Sequence, residues 1–238
     1  MGLTNIAILL YLRLWLIFPA LLPLVFETHG NKSLTEKIKT QAKDVPVIFE
    51  NSYRMSSMYA FYSGDPSFSV NNINYRQNQY SLDDAELKFQ HRNIFYISRY
   101  LDKGGLNYRD AKGVLHYGKY ISNFQSYRKL KTFVDTDKVA LNESKELILK
   151  IYNPYVNPIE LDKLKFGVAY MNAYKQFKEL VPITPVPEKS TSILRTKDTT
   201  RFKFRLPKPE LASPGYFKVS ISENELPFGL NGENIKLD

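Results

Sequence analysis

Apolar and polar positions follow different patterns in successive parts of the chain. Ile6 to Phe26, IAILLYLRLWLIFPALLPLVF, is almost unbroken apolar sequence over 21 residues. About 20 such residues cross a bilayer core as a helix. Arg13 opposes insertion by about 2.5–3.5 kcal/mol at a helix centre, and the surrounding Leu, Ile, Phe and Val, at roughly −0.3 to −0.6 each, offset it. Residues 1–30 are therefore predicted to form an N-terminal membrane helix or signal anchor. The rival reading is a cleaved signal peptide, with Leu14–Phe26 as its apolar region and cleavage after Thr28-His29-Gly30. Its n-region carries little charge, so the anchor is preferred. A buried soluble helix is the third option.

Beyond this run the period shortens. Residues 31–112 read as a small α/β domain with a mostly parallel sheet. Ser33-Leu34-Thr35-Glu36 fits a capping box opening a helix that ends near Lys43. Val45–Phe49 is a short apolar strand, Glu50-Asn51-Ser52 a polar turn, and Tyr53–Tyr62 an amphipathic helix. Phe68-Ser69-Val70 reads as a second strand, Ser81-Leu82-Asp83-Asp84 as a helix start, and Asn93–Ser98 as a third strand.

Residues 113–238 alternate over short runs separated by Pro and Gly clusters, which predicts an antiparallel, immunoglobulin-like β-sandwich. Its strands are expected at Phe124–Phe133, Glu146–Tyr152, Phe166–Met171, Arg201–Leu206 and Tyr216–Ile221, with Asn234–Leu237 as a last edge strand. The whole is an α+β chain. Lys and Arg on the outward positions of RFKFRL and YFKVSI read as edge protection.

In an open α/β sheet, ligands sit outside the carboxyl ends of the strands. That rule places Glu50, Asn51, Ser52 and Arg54 at a candidate mouth. The loop Asn71–Tyr80 supplies Asn72, Tyr75, Arg76 and Tyr80, whose amides and rings suit sugar hydroxyls and the apolar sugar face. Its plainer reading is a polar loop of an Asn-rich protein. Arg54 and Arg76 together would suit a phosphate or carboxylate; separately, each is a solvated surface arginine.

Composition narrows the function classes. Hydrophobic content of 43% supports a packed core and argues against wholesale disorder. The net charge of +9 is spread along the chain without a Lys/Arg block, which argues against nucleic acid as a partner. Cysteine is absent, which excludes disulfides, thiolate nucleophiles and Cys-based metal sites. His29, His91 and His116 are too scattered for a metal cluster. Nucleotide-binding glycine loops, HExxH, GxSxG and CxxC are all missing, and no cofactor is predicted. The pairs Asp83-Asp84 and Asp135/Asp137 read as helix-start charge and a turn, leaving no residue assigned to catalysis. Asn31-Lys-Ser33 and Asn142-Glu-Ser144 match the glycosylation sequon, a pattern short enough to arise often by chance, and are given no role.

The runs RLWLIFPALLPLVF and PVIFENSYRMSSMYAFYSGDPSFSVNNINYRQNQY, with FQSYRKLK and LILKIYNPY, give an order of features that resembles the C-terminal end of bacterial membrane glycosyltransferases. These are the lipid-phosphate-sugar-dependent enzymes similar to dolichyl-phosphate-mannose protein mannosyltransferases and aminoarabinose transferases. The resemblance covers nearly the whole chain. It implies a periplasmic, membrane-anchored C-terminal domain with an accessory or acceptor-recognition role. The implied partners are the membrane, the membrane-embedded part of a transferase, and a glycan or polyprenyl-phosphate sugar. The family's activating acids lie in an early extracytoplasmic loop that this chain lacks, so no catalytic residue carries over. The alternative function is a free-standing membrane-anchored glycan-binding protein.

Overall fold

The computed structural model describes residues 2–22, 30–101, 105–109, 113–141 and 146–238. It is a mixed α+β chain with many strands in several sheets and few helices. It divides into two compact units, one of Met1–Glu50, Arg54–Phe68 and Asn93–Ile121, the other of Asn51–Tyr53, Ser69–Arg92 and Ser122–Asp238.

Helix α1 runs Gly2–Ile17, 16 residues, and none of them is buried. Its length is about 24 Å at 1.5 Å per residue, short of the roughly 30 Å of a bilayer core. No helix among the described residues is long and apolar enough to cross a membrane. The sequence predicts one continuous span from Ile6 to Phe26. Instead α1 stops at Ile17, Phe18 takes φ −116° and ψ 88°, and Pro19–Leu21 form a 3₁₀ turn. Proline pushes its predecessor out of helical conformation, which explains the break. Residues 23–29, including Thr28 and His29 of the expected cleavage site, lie outside the described residues.

Helix α2, Asn31–Ala42, begins after Gly30, whose positive φ of 79° serves as the N-cap. Ser33 therefore lies inside the helix, and the expected capping box does not form. Helix α3 is Tyr53–Ser63. Strands β1 (Val47–Glu50), β2 (Ser67–Val70), β3 (Ile94–Ser98), β4 (Leu106–Arg109) and β5 (Leu115–Ile121) make one sheet in the order β2-β1-β3-β5-β4. β1 and β3 pair in parallel, while β5 is antiparallel to both β3 and β4. The sheet is thus mixed, because β4 and β5 follow one another too closely for a crossover. Ile38 and Ala42 of α2, Met55 and Tyr59 of α3, and Phe49, Phe95, Ile97 and Tyr108 of the sheet form the core of this unit.

In the second unit, α4 is a single turn at Gln79–Leu82. Its cap is Asn78, with Ser81 completing a capping box, so the helix starts before the predicted Ser81. The remaining strands are β6 (Lys131–Val134), β7 (Lys138–Val139), β8 (Glu146–Tyr152), β9 (Ile159–Glu160), β10 (Leu164–Met171), β11 (Phe177–Ile183), β12 (Val186–Pro187), β13 (Ile193–Leu194), β14 (Thr199–Arg205), β15 (Tyr216–Glu223) and β16 (Ile235–Leu237). They form a sheet β11-β10-β15-β16-β7, a sheet β12-β14-β8-β6, and the small pair β13-β9. Leu147, Leu149, Ile151, Phe202 and Phe204 from one sheet share a core with Val168, Tyr170, Phe217, Val219 and Ile221 from the other. At period two, each strand sends alternate residues into that core. Neighbouring strands here pair antiparallel except β16 with β7, which run parallel. β16 is accordingly an interior strand, not the edge that the sequence predicts.

Asn231 ties the two sheets together. Its amide nitrogen donates to the Leu130 carbonyl (3.0 Å), and its oxygen accepts from the Ile221 amide (3.0 Å). Asn231→Ala is expected to lower stability by about 1–3 kcal/mol, because it strands both buried backbone groups. A shift of the denaturant midpoint at constant slope checks this.

Candidate functional site

The residues proposed for ligand binding fall into both units. Glu50 and Arg54 belong to the first unit; Asn51, Asn72, Tyr75, Arg76 and Tyr80 belong to the second. Glu50 is buried and accepts a hydrogen bond from the Ser98 hydroxyl. Arg54 is exposed on α3.

Asn51 and Asn72 are spent on each other. Asn51 Nδ2 donates to Asn72 Oδ1 (2.7 Å), and the Asn72 amide donates to Asn51 Oδ1 (2.8 Å). The Asn51 backbone, at φ 53°, also donates to Val70 O (2.9 Å). A left-handed conformation is one that Asn tolerates better than most residues. Asn72 Oδ1 further accepts from the Asn74 amide (2.9 Å). Asn71 Nδ2 donates to Ser81 Oγ (2.9 Å) and to the Arg76 carbonyl (3.2 Å), while Asn78 Oδ1 takes the Tyr80 amide (3.0 Å). The amides expected to meet sugar hydroxyls thus build the loop itself. Tyr80 is buried, Tyr75 half-buried, and Arg76 exposed.

A denser polar cluster lies elsewhere in the second unit. Glu86, on a 3₁₀ turn at Ala85–Phe89, is 1% exposed, and Glu223, at the end of β15, is 0% exposed. Glu86 accepts from the Ser126 hydroxyl, from the Arg128 amide (2.9 Å) and from the Tyr155 hydroxyl (2.5 Å). Tyr155 in turn accepts from the Lys129 amide (2.9 Å). Glu223 accepts from the Tyr127 amide (3.1 Å) and pairs with the Arg128 guanidinium, Nε to Oε1 at 3.1 Å. Gln90 adds a reciprocal pair, donating to Ser126 O (2.7 Å) and accepting from Ser126 N (3.1 Å).

Burial dominates the electrostatics. It pushes the Glu223 carboxyl up to about 7, against the opposing pull of Arg128. Burial likewise raises Glu86 against its three donors, and raises the Tyr155 phenol, which Glu86 pushes further. Tyr127 moves up for the same reason. Burial thus favours the protonated forms of these carboxyls and phenols.

Sequence reasoning missed this cluster, although part of it was visible. In YFKVSISE, Phe217, Val219 and Ile221 point inward, and the same period carries Glu223 with them. A carboxylate in phase with core residues signals a buried partner. Glu86 gave no comparable sign.

The aspartate pairs have structural duties. Asp83 Oδ1 caps the Ala85 amide (2.9 Å), and Asp84 pairs with Lys129, which lowers its carboxyl. Asp135 pairs with Lys150 (2.5 Å) and Arg201 (3.7 Å). Among the described residues, no group of three His, Asp or Glu is gathered as a metal site. A depression of about 400 Å³ borders Asp135, Thr136, Lys138, Glu146 and Asp238.

Tyr155→Phe removes a donor from Glu86 and an acceptor from Lys129. It is expected to cost about 1–3 kcal/mol of stability, measured by chemical denaturation, with the fold retained by circular dichroism.

No protein-family model matches the chain, and no curated protein matches it. Solved structures with some likeness include the archaellum periplasmic stator protein FlaG from Sulfolobus acidocaldarius, at 11% identity over 42% of this chain and 95% of that one, with a TM-score of 0.28. The stator protein complex of FlaF and FlaG from the same organism gives 11% identity over 44% and 89%, with a TM-score of 0.29. Likeness of that extent identifies neither a shared fold nor shared chemistry.

Proposed function

We propose that the chain is a non-catalytic, membrane-attached module working outside the cytoplasm. In this reading it serves as the C-terminal extracytoplasmic part of a lipid-phosphate-sugar-dependent glycosyltransferase, in an accessory or acceptor-recognition role. The observation that carries the membrane attachment is α1. Leu3, Ile6, Leu9, Leu10, Leu14 and Ile17 are all exposed, and no residue of the helix is buried. A helix apolar on every side belongs in lipid or inside protein. Its shortfall of about 6 Å against the bilayer core is of a size that local thinning absorbs, and Arg13 reaches toward the headgroups. We read the two packed sheets of the second unit as an immunoglobulin-like sandwich that presents the recognition surface. The transferase assignment rests on the sequence resemblance.

The second reading, a free-standing glycan-binding protein, draws on the exposure of Arg76 and the partial exposure of Tyr75. The mutual engagement of Asn51 and Asn72 weighs against it.

Flotation with phospholipid vesicles tests the attachment. The full chain is expected to rise with the vesicles and resist high salt, while Leu10→Asp with Leu14→Asp is expected to stay below. Wild-type chain remaining in the aqueous fraction without detergent would overturn it. Sugar transfer from a polyprenyl-phosphate donor by this chain alone would overturn the non-catalytic role. Glycan-array binding abolished by Tyr75→Ala or Arg76→Ala would favour the second reading.

A further inference from the structure

We propose that Glu86, Arg128 and Glu223 form a proton-dependent latch that fastens the segment 79–92 to the strand-bearing part of the second unit and loosens it when the cluster loses a proton.

The geometry sets two buried carboxylates around one guanidinium. Glu86 comes from the 3₁₀ turn, Arg128 from the irregular stretch before β6, and Glu223 from the end of β15. Arg128 balances the charge of one carboxylate, through its 3.1 Å contact with Glu223. With one proton shared between the acids, the cluster is neutral. Without it, a net negative charge remains where both acids are essentially out of water. The macroscopic steps belong to the pair and not to either acid alone.

Few other charges reach the site to relieve that excess. Tyr155 and Tyr127 face it as neutral phenols. Lys129 is taken by Asp84, and Lys163, which acts on Tyr127, is taken by Glu160 at 2.9 Å. His91 sits on Asn123 Oδ1 (3.2 Å) and Gln125 Nε2 (3.1 Å).

The latch also has something to hold. Residues 90–92 run beside 124–126 through His91 N to Phe124 O (2.7 Å), Phe124 N to Arg92 O (2.8 Å) and the Gln90–Ser126 pair. The amides of Tyr127 and Arg128 end on the two carboxylates themselves.

The sign follows from linkage. A carboxyl raised from its ordinary 4.5 to about 7 in the folded state makes the folded chain bind more protons than the unfolded one across that window. Stability is full below the lower value, falls as pH climbs through the window, and levels off above the upper one.

Amide hydrogen exchange on the full chain, corrected for the intrinsic pH dependence, tests the latch at pH 5 and pH 8. Protection at residues 85–92 and 124–129 is expected to fall at least tenfold at pH 8, while Val168 and Ala169 in β10 hold theirs. Glu223→Gln fixes one neutral member and is expected to keep pH 5 protection at pH 8; His91→Gln is expected to behave as wild type. Equal wild-type protection at both pH values, or the same loss in Glu223→Gln, would overturn the proposal. Should that variant fail to fold, carbon-detected titration of the wild-type glutamates decides: one carboxyl changing near pH 7 supports the latch, and all changing below pH 5 overturns it.

Discussion

Removing two carboxylates from water against a single guanidinium is the constraint around which the second unit is arranged. Each buried ion forfeits several kcal/mol of hydration, so each must be met by donors of fixed position. Glu86 draws the Ser126 hydroxyl, the Arg128 amide and the Tyr155 hydroxyl toward it, and Glu223 draws the Tyr127 amide and Arg128 itself. Those demands shape a long stretch of backbone. Phe124–Phe133 has the composition of a strand, yet strand structure begins only at Lys131, because the Ser126 amide points at the Gln90 carboxamide and those of 127–129 at two acids and a phenol instead of a neighbouring strand. The same contacts join Glu86 and Gln90, within Ser69–Arg92, to the segment before β6 in the unit they share.

The parts of the fold that were legible in the sequence are those where a local pattern and a tertiary need coincide. Glu146–Tyr152 alternates in sequence and alternates in burial. β1 and β3 are mostly apolar, each closing on a polar residue, and are buried along their whole length. Two-residue strands such as β9 and β13 exist only through their mutual pairing, and no periodicity announces them. Helix starts failed for a different reason. Ser33 and Ser81 both offered a capping hydroxyl, but Gly30 and Asn78 stand just before them and take the cap. A capping hydroxyl is therefore not sufficient to place a helix start, and at Gly30 the backbone alone makes one.

Candidate binding residues were the hardest to judge, because an amide suited to a ligand is equally suited to its own loop. Asn71, Asn72 and Asn78 show the second outcome: their side chains close hydrogen bonds to Ser81, Asn51, Asn74 and Tyr80. Asn-rich loops without regular structure must satisfy many backbone groups locally, and residue type alone does not separate that duty from recognition. Burial and partner identity do.

The strand β16 has a kinetic corollary. It sits between β15 and β7, so Lys236 and Leu237 are the link through which Lys138 and Val139 join their sheet. Contacts spanning about a hundred residues close slowly, since the intervening chain must first be ordered. On the ribosome, β7 waits for almost the whole unit to be synthesised before it has a partner. Until β16 arrives, the edge of β15 leaves backbone N–H and C=O groups open, a template on which another nascent chain could pair.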